Sequence, residues 1–465
     1  MSGAMIFIKE EFTVKESQLE LLAGILNLCA LVGSLCAGRT SDYIGRRYTI
    51  MLASIIFMLG SILMGYAPSY SILLLGRCTA GVGVGFALMI APVYAAEISS
   101  AHTRGFLSSL PEIGISIGIL LGYISNNIFA NLRLELGWRL MLGIAAIPSV
   151  FLAIGLLKMP ESPRWLILQG RVGEAKKILY KVCDDGEEAE RRLKDIKRAA
   201  GINEDCTDEV VDIKKLKKDE RNEEAGVWTQ LILRPTPTVR RMLIAGVGVH
   251  FFEHATGTEA VILYGPRIFR KAGVTARRKL LLATVGVGLV KLTFITISTF
   301  IIDKVGRRTL LLFSIGGMIV SLTGLATCLT VVERAETRLV WALVLSLVFV
   351  YMFLMFFNVG LCPVCWVYSA EVFPNRLRAA GASVCVAVNR LMNATVSMSF
   401  LSLSSAITIG GAFYLFAGVA VVGWAFVFFC VPETKGRSLE EMEEVFSKGG
   451  VGVVSENKKL EMVKS

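Results

Sequence analysis

The residues best equipped for chemistry lie between Gly246 and Tyr264. His250, Phe251, Glu253, His254, Gly257, Glu259 and Tyr264 all fall inside an apolar run that begins near Met242. An ionisable side chain at bilayer depth costs at least ~2.5–3.5 kcal/mol on insertion scales. A run long enough to cross a bilayer, yet carrying two glutamates and two of the chain's three histidines, must turn them away from lipid. His250, Glu253, His254 and Gly257 follow i, i+3, i+4, i+7 spacing, which predicts one shared helix face. Carboxylates and imidazoles on such a face can hold protons and hydrogen-bond hydroxyl groups. The expectation is a helix whose polar face looks into a bundle or a water-filled cavity.

The elements that would position this face are legible in composition. The chain has 465 residues, 54% hydrophobic and 19% charged, with mean hydropathy +0.60. Soluble chains are usually ~45–50% apolar and ~25% charged. The excess is clustered in eleven runs, near 19–37, 49–67, 71–96, 106–126, 138–158, 239–264, 280–302, 309–332, 339–368, 381–404 and 410–431. Each suffices for a spanning helix of ~20 residues. An all-α polytopic membrane protein follows. Its expected segments are a first bundle over 1–158, a linker with short charged helices over 159–238, a second bundle over 239–431 and a tail over 432–465. Met1 to Ile8 is apolar but too short to span, and it lacks the basic start and cleavage site of a signal peptide. It reads as the outer end of a helix whose inner part is absent.

The net charge of +11 is not a nucleic-acid signature, because Lys and Arg gather at helix ends, where they set orientation. The loops at 38–48 and 303–308, the turn after 371, the linker and the tail are assigned to the cytosolic side. The loop holding Arg267, Arg270, Lys271, Arg277, Arg278 and Lys279 runs against that vote. In the linker, 171–200 reads as charged amphipathic helices and 206–224 as a flexible stretch; docking against the bundle and simple solvation both remain open. The ten cysteines form no disulfide framework. Cys362-Pro363-Val364-Cys365 reads as small packing residues around a proline, since a redox CxxC needs a thioredoxin-like setting. No nucleophile–base set, nucleotide loop, metal motif or cofactor motif stands out, so no enzyme and no cofactor are expected.

The two apolar blocks repeat each other. Gly38–Arg47 is echoed by Asp303–Arg308, Pro92–Glu97 with Arg104 by Tyr368–Glu371 with Arg378, and Pro160–Arg164 by Pro432–Arg437. Internal repeats mark transporters built from two related halves with substrate bound between them. The acids and bases Asp42, Arg46, Glu97, Arg104, Asp303, Arg307, Glu371 and Arg378 can pair across helix ends. They form a candidate gating network, latched in one state and open in another, or a static anchor at the membrane surface.

With these motifs, Arg77, Pro160–Leu166, Glu371–Arg378 and Pro432–Arg437, the chain resembles the sugar porter family of the major facilitator superfamily along almost its whole length. Leu22–Asn27, Phe251–Gly257 and Val386–Phe400 are most similar to plant polyol transporters. The resemblance implies two pseudo-symmetric six-helix bundles, twelve helices with the first truncated here, a cytosolic helical linker and alternating access. It also implies proton-coupled symport of polyols and related monosaccharides in a multi-pass plasma-membrane protein, with the vacuolar membrane as the alternative. The expected partners are a polyol or monosaccharide, protons and the lipid bilayer, with the protein a monomer.

The carried-over binding positions are Glu112, Glu253, His254, Glu259, Tyr264, Lys291, Asn358, Trp366 and Asn389. Hexose carriers place a glutamine at Glu112, paired glutamines at Glu253 and His254, and asparagines at Glu259 and Lys291. The pocket is therefore more charged than a hexose pocket. Carboxylates accept strongly from polyol hydroxyls, and Lys291 donates or simply balances charge. Trp366, Tyr264 and Phe251 could pack on a carbon chain. Glu112 could instead satisfy backbone groups freed by Pro111, and His250 could be a helix–helix contact. The family's proton site, an aspartate expected just before Met1, is not in the chain. Glu112, Glu253 and His254 are then the candidate proton carriers. The alternatives are an uncoupled facilitator, an inactive truncated form, and a transporter-like nutrient receptor.

Overall fold

Lipid offers no hydrogen bonds, so an apolar run must satisfy its backbone within itself and folds as a helix. The computed structural model describes residues 2–98, 104–183, 185–199, 230–231, 234–272, 276–334, 339–373, 377–435 and 445–446. They are mostly helical, with no strand among the described residues. Ten helical stretches are long and apolar enough to cross a membrane. They match ten of the eleven runs read from sequence. The remaining run, 239–264, is interrupted. The stretch expected to be flexible, 206–224, lies outside the described residues.

Contacts divide the chain into two units that do not follow chain order. One comprises Met1–Gly24, Glu112–Met141 and Val227–Ser465; the other comprises Ile25–Pro111 and Leu142–Gly226.

The second of these units holds most of α2 (Glu16–Ile44), with α3 (Arg46–Gly65), α4 (Tyr70–Ile98), α7 (Ala146–Lys158) and the linker helices α8 (Pro163–Leu168), α9 (Val172–Val182) and α10 (Gly186–Ala199). Ala37, Ile50, Ala53, Phe86, Ile90, Tyr94 and Leu156 form a core among its long helices. The linker has its own core, in which Trp165, Leu166 and Ile167 pack with Val172, Ala175, Leu179, Ala189 and Leu193. Between docking and solvation, the structure selects docking. Trp165 Nε1 donates to the Asp42 carbonyl at 3.1 Å. Arg192 donates to the terminal carbonyls of α4, Glu97 at 3.3 Å and Ile98 at 3.4 Å, a cation where the helix dipole favours one.

The first unit contains α1 (Ala4–Phe12), the start of α2, the larger part of α5 (Arg104–Phe129), and then α11 (Pro237–Ala255), α12 (Thr258–Ala272), α13 (Arg277–Val305), α14 (Arg307–Arg334), α15 (Val340–Val359), α16 (Leu361–Glu371), α17 (Arg378–Ile407) and α18 (Ile409–Cys430). Arg267, one of the bases that ran against the charge vote, is paired with Glu16, which also takes Lys9. Glu20 is buried, and its carboxylate accepts from Ser402 N at 2.7 Å and Ser402 Oγ at 2.5 Å. These contacts join the first and second sequence blocks near the start of α2.

The duplicated motifs are alike in atomic detail. Gly45 and Gly306 stand between consecutive helices with φ of +97° and +103°, a conformation that β-carbon sterics deny most residues. An added Cβ would also press on Glu161 or Glu433. Those carboxylates cap the helix that follows. Glu161 accepts from the backbone N–H of Arg46 and Arg47 at 3.0 and 3.1 Å, and Glu433 from Arg307 and Arg308 at 2.8 and 3.0 Å. Each ties the free amides of a helix N-terminus to the Pro-Glu motif at the end of its block.

Candidate substrate site

The expected single helix face over 246–264 is replaced by two half-helices. Gly257 adopts φ +84°, and an added Cβ would meet the Phe416 ring, so the chain breaks there. The break follows from glycine's freedom rather than from side-chain periodicity. His250, Glu253 and His254 do share a face of α11; Gly257 is the hinge below it. The interruption sets His254 in the last turn of α11 and Glu259 in the first turn of α12. Glu259 thereby meets the helix end that favours an anion. A second break, at Gly360, divides α15 from α16. There Ser314 Oγ bridges the gap, accepting from Leu361 N at 3.0 Å and donating to the Phe356 carbonyl at 2.7 Å.

The two broken helices and α17 converge on one polar network. Glu253 Oε2 accepts from Asn389 Nδ2 at 2.6 Å and from the Cys365 thiol at 2.7 Å. Cys365 Sγ also lies 2.8 Å from His250 Nδ1. Asn389 Oδ1 sits 3.2 Å from His254 Nε2 and accepts from Arg390 at 2.5 and 3.0 Å. Asn393 continues the chain, donating to Glu259 Oε1 at 2.8 Å, and His254 Nδ1 is 3.6 Å from that same oxygen. His250, Glu253, His254, Asn389 and Asn393 are buried; Glu259 and Trp366 keep partial exposure. The Trp366 ring stands edge-on to His250, with centroids 5.4 Å apart. A buried charge is tolerated only when paired and hydrogen-bonded, and these acids are.

Of the sequence-predicted residues, Glu253, His254, Glu259, Asn389 and Trp366 are therefore brought together. Glu112 and Lys291 form a second group in the same unit. Glu112 lies 3.8 Å from the Cys362 thiol, and the charges of Lys291, Glu253 and Arg390 act on it. Lys291 is buried and has no ion pair with Glu253 or Glu259 among the described residues. The other predictions land elsewhere. Tyr264 donates to the Ser397 carbonyl at 2.7 Å and stacks on Phe400, bracing α12 against α17. Asn358 donates to Leu354 of its own helix at 2.7 Å, while its Oδ1 is buried without a partner. Phe251 is 37% exposed, on the outer side of α11 rather than in the network. Its neighbours along the chain turn inward because the face is set by the 3.6-residue repeat.

Sequence reading missed Cys365, Asn393 and Arg390. The CxxC spacing of Cys365 reads as packing, whereas in the structure its thiol donates to Glu253 at 2.7 Å. Asn389 and Asn393 stand at i, i+4, a spacing that could have marked them as one face.

Of the candidate gating residues, some pairs are described. Arg46 Nε donates to Glu97 Oε2 at 3.1 Å and its NH2 group to Oε1 at 3.3 Å, with Asp42 Oδ1 at 3.1 Å from NH1. Ser162 Oγ also donates to Glu97. In the second block Arg307 donates to Glu371 Oε1 at 2.8 Å and Thr434 Oγ1 to Oε2 at 2.6 Å. The side chains of Arg104, Asp303 and Arg378 lie outside the described residues.

Comparison with known proteins places this arrangement. The family model described as "Sugar (and other) transporter" matches residues 6–446. "Probable polyol transporter 6" of Arabidopsis thaliana is 63% identical, with 98% of this chain and 92% of that protein covered. "Polyol transporter 5" of the same plant is 54% identical, covering 96% of this chain and 82% of that one. Among solved structures, the proton:xylose symporter XylE bound to 6-bromo-6-deoxy-D-glucose superposes with TM-score 0.77 at 25% identity, covering 96% of this chain and 94% of that one. Together with the helical architecture and the duplicated motifs, these matches show that the chain belongs to the sugar porter family of the major facilitator superfamily, alongside the plant polyol transporters.

Proposed function

We propose that this transporter moves linear polyols and related monosaccharides by alternating access, coupled to protons at the network around Glu253 and His254. The observation that carries the reading is the join of Glu253, His254 and Glu259 to Asn389 and Asn393 across two half-helices. A polyol presents only hydroxyls, each both donor and acceptor. Glu253 and Glu259 accept from them, the asparagine amides donate and accept, and the partly exposed Trp366 offers an apolar face. Half-helix ends at the site are the usual way a transporter binds polar cargo at membrane depth. Glu112 and Lys291 add a second polar wall. The plant relatives are named as polyol transporters, and the structural relative as a proton symporter.

The coupling follows from electrostatics. Protonation of the Glu253–His254 pair changes the net charge of a buried network, and the network's hydrogen bonds differ before and after. Substrate that binds one protonation state better draws the proton with it. The acid–base pairs of Arg46 and Arg307 serve as latches on the side assigned to the cytosol, with the linker packed beside the Arg46 pair. The membrane is taken as the plasma membrane, the vacuolar membrane being the alternative, and the working unit as a monomer.

The test is uptake of labelled sorbitol, myo-inositol and glucose into proteoliposomes, with and without an inward proton gradient. The proposal expects polyol uptake to exceed glucose uptake and to rise with the gradient. Polyol uptake indifferent to the gradient would instead identify an uncoupled facilitator, and binding without flux a receptor.

A further inference from the structure

We propose that His250, Glu253 and Cys365 form a binding site for a soft divalent cation, of the cadmium or zinc type, inside the substrate pocket. The inference arises from lone pairs aimed at one point. His250 Nδ1, a Glu253 carboxylate oxygen and Cys365 Sγ all lie within 4.8 Å of one another, and all three residues are buried. The edges of the triangle are 2.8 Å from sulfur to nitrogen, 2.7 Å from sulfur to oxygen and 3.7 Å from nitrogen to oxygen. Zinc bonds of ~2.0–2.3 Å in tetrahedral geometry hold ligand atoms roughly 3.3–3.7 Å apart. The nitrogen–oxygen edge is already of that length. The sulfur has to withdraw by less than about an ångström, and it gives up its own hydrogen bonds when it does so.

The protonation pattern suits the role. With the Cys365 proton directed at Glu253, Asn389 Nδ2 is the donor facing His250 Nδ1, at 3.2 Å, so the ring presents a lone pair there and carries its proton on Nε2. Nε2 is buried without a partner, which leaves the imidazole free of any bond that would hold it in another tautomer. On binding, the Cys365 thiol gives its proton to solvent and bonds the ion as thiolate. One thiolate and one carboxylate balance a divalent charge, which a buried site requires. Thiolate and imidazole together select soft or borderline ions over magnesium and calcium. A substrate hydroxyl or water completes the shell, so cation and polyol compete for Glu253. This last step rests on the proposed substrate pocket; the cation site itself does not.

The experiment uses the purified full chain and cadmium ion as probe. Equilibrium dialysis should find a tight site per chain that weakens at least 10-fold in Cys365→Ser and His250→Asn and persists in Cys362→Ser. X-ray absorption of the cadmium-loaded native chain, which needs no variant, should show one sulfur among nitrogen and oxygen ligands. A shell of oxygen alone or of two sulfurs, or binding equal in native chain and Cys365→Ser, overturns the proposal. Cadmium should also suppress polyol uptake in proteoliposomes. Tight binding at Cys365 without loss of uptake would keep the cation site and instead contradict the placing of this pocket on the transport path.

Discussion

The motif networks at Arg46 and Arg307 and the polar network at Glu253 are built on opposite rules. The first two are copies. Each has a left-handed glycine, a Pro-Glu carboxylate capping the next helix, and an arginine on a glutamate that also takes a hydroxyl from Ser162 or Thr434. Asn389, Asn393 and Cys365 of the polar network have no polar copy. A step of 274 residues leads from Glu97 to Glu371; the same step relates Ile115 to Asn389, Ile119 to Asn393 and Ala91 to Cys365. The repeat thus supplies the frame, and departure from it supplies the chemistry. On the proposed function, a latch that acts in both halves is kept twice. A site that binds one asymmetric molecule needs polar groups once, and each further copy would add a buried polar cost.

The copies are not energetically equal, and that gives the largest expected effect. Glu97 keeps 9% of its side chain exposed against 31% for Glu371, with Arg46 and Arg307 at 10% and 11%. Arg46→Ala leaves a buried glutamate unpaired and should cost about 3–5 kcal/mol. Arg307→Ala should cost clearly less, because water reaches Glu371. Thermal unfolding of the two variants in detergent checks this; equal losses would mean that burial does not set the difference.

Gly45→Ala and Gly306→Ala come next. Each forces a β-carbon into a left-handed conformation and against a capping glutamate, a strain of about 1–3 kcal/mol. The two should lower the melting temperature alike, which would show that the turns are equivalent even where the ion pairs are not.

In the unduplicated network, Asn389→Ala removes the amide that joins Glu253 to His254. Hydrogen bonds to charged groups are worth about 1.5–3 kcal/mol, so polyol affinity should fall about 10- to 100-fold. Isothermal titration with sorbitol reads this directly. The same substitution should leave the Arg46 and Arg307 pairs intact, seen as unfolding losses that add to those of Arg46→Ala and Arg307→Ala within about 0.5 kcal/mol.

The smallest effect lies in the linker. Lys176 and Tyr180 of α9 hold Glu190 of α10, the ion pair being 3.0 Å and the hydroxyl contact 2.6 Å. The Tyr180 hydroxyl and the Lys176 ammonium hold the Glu190 pKa below its usual value of 4.5. The folded-state value is depressed, so the contribution is present above the unfolded pKa and is lost as pH falls through the folded one. The pair is open to solvent, which screens it. Glu190→Gln should therefore shift linker stability barely at all at neutral pH, and the native–variant difference should vanish in acid. Hydrogen exchange over α9 and α10 measures it.

How much was legible in sequence differs between the same two regions. The copied networks could be read almost residue by residue, because a repeat displays itself and glycine between charged residues marks a turn. The spans were legible too, since apolar length in lipid leaves one backbone solution. The polar network was legible by composition, as charge in an apolar run, and its members Glu253, His254, Glu259, Asn389 and Trp366 meet. Its geometry was not. Helical periodicity assumes a continuous helix, and the left-handed Gly257 breaks that assumption. Cys365 looked inert because a thiol's role depends on the acid packed against it, which lies 112 residues away in the chain. Tyr264 and Phe251 lie outside the network for the same reason: the pattern gives a face, and packing decides where the face points.

The most direct test of the account is Glu253→Gln, followed by polyol affinity and by its dependence on pH. Glutamine keeps the size and the contact with Asn389 while removing the ionisable group. The account predicts at least 10-fold weaker binding of sorbitol, with the pH dependence of uptake abolished. Unaltered affinity together with unaltered pH dependence would contradict it, and would return Glu253 to holding helices together.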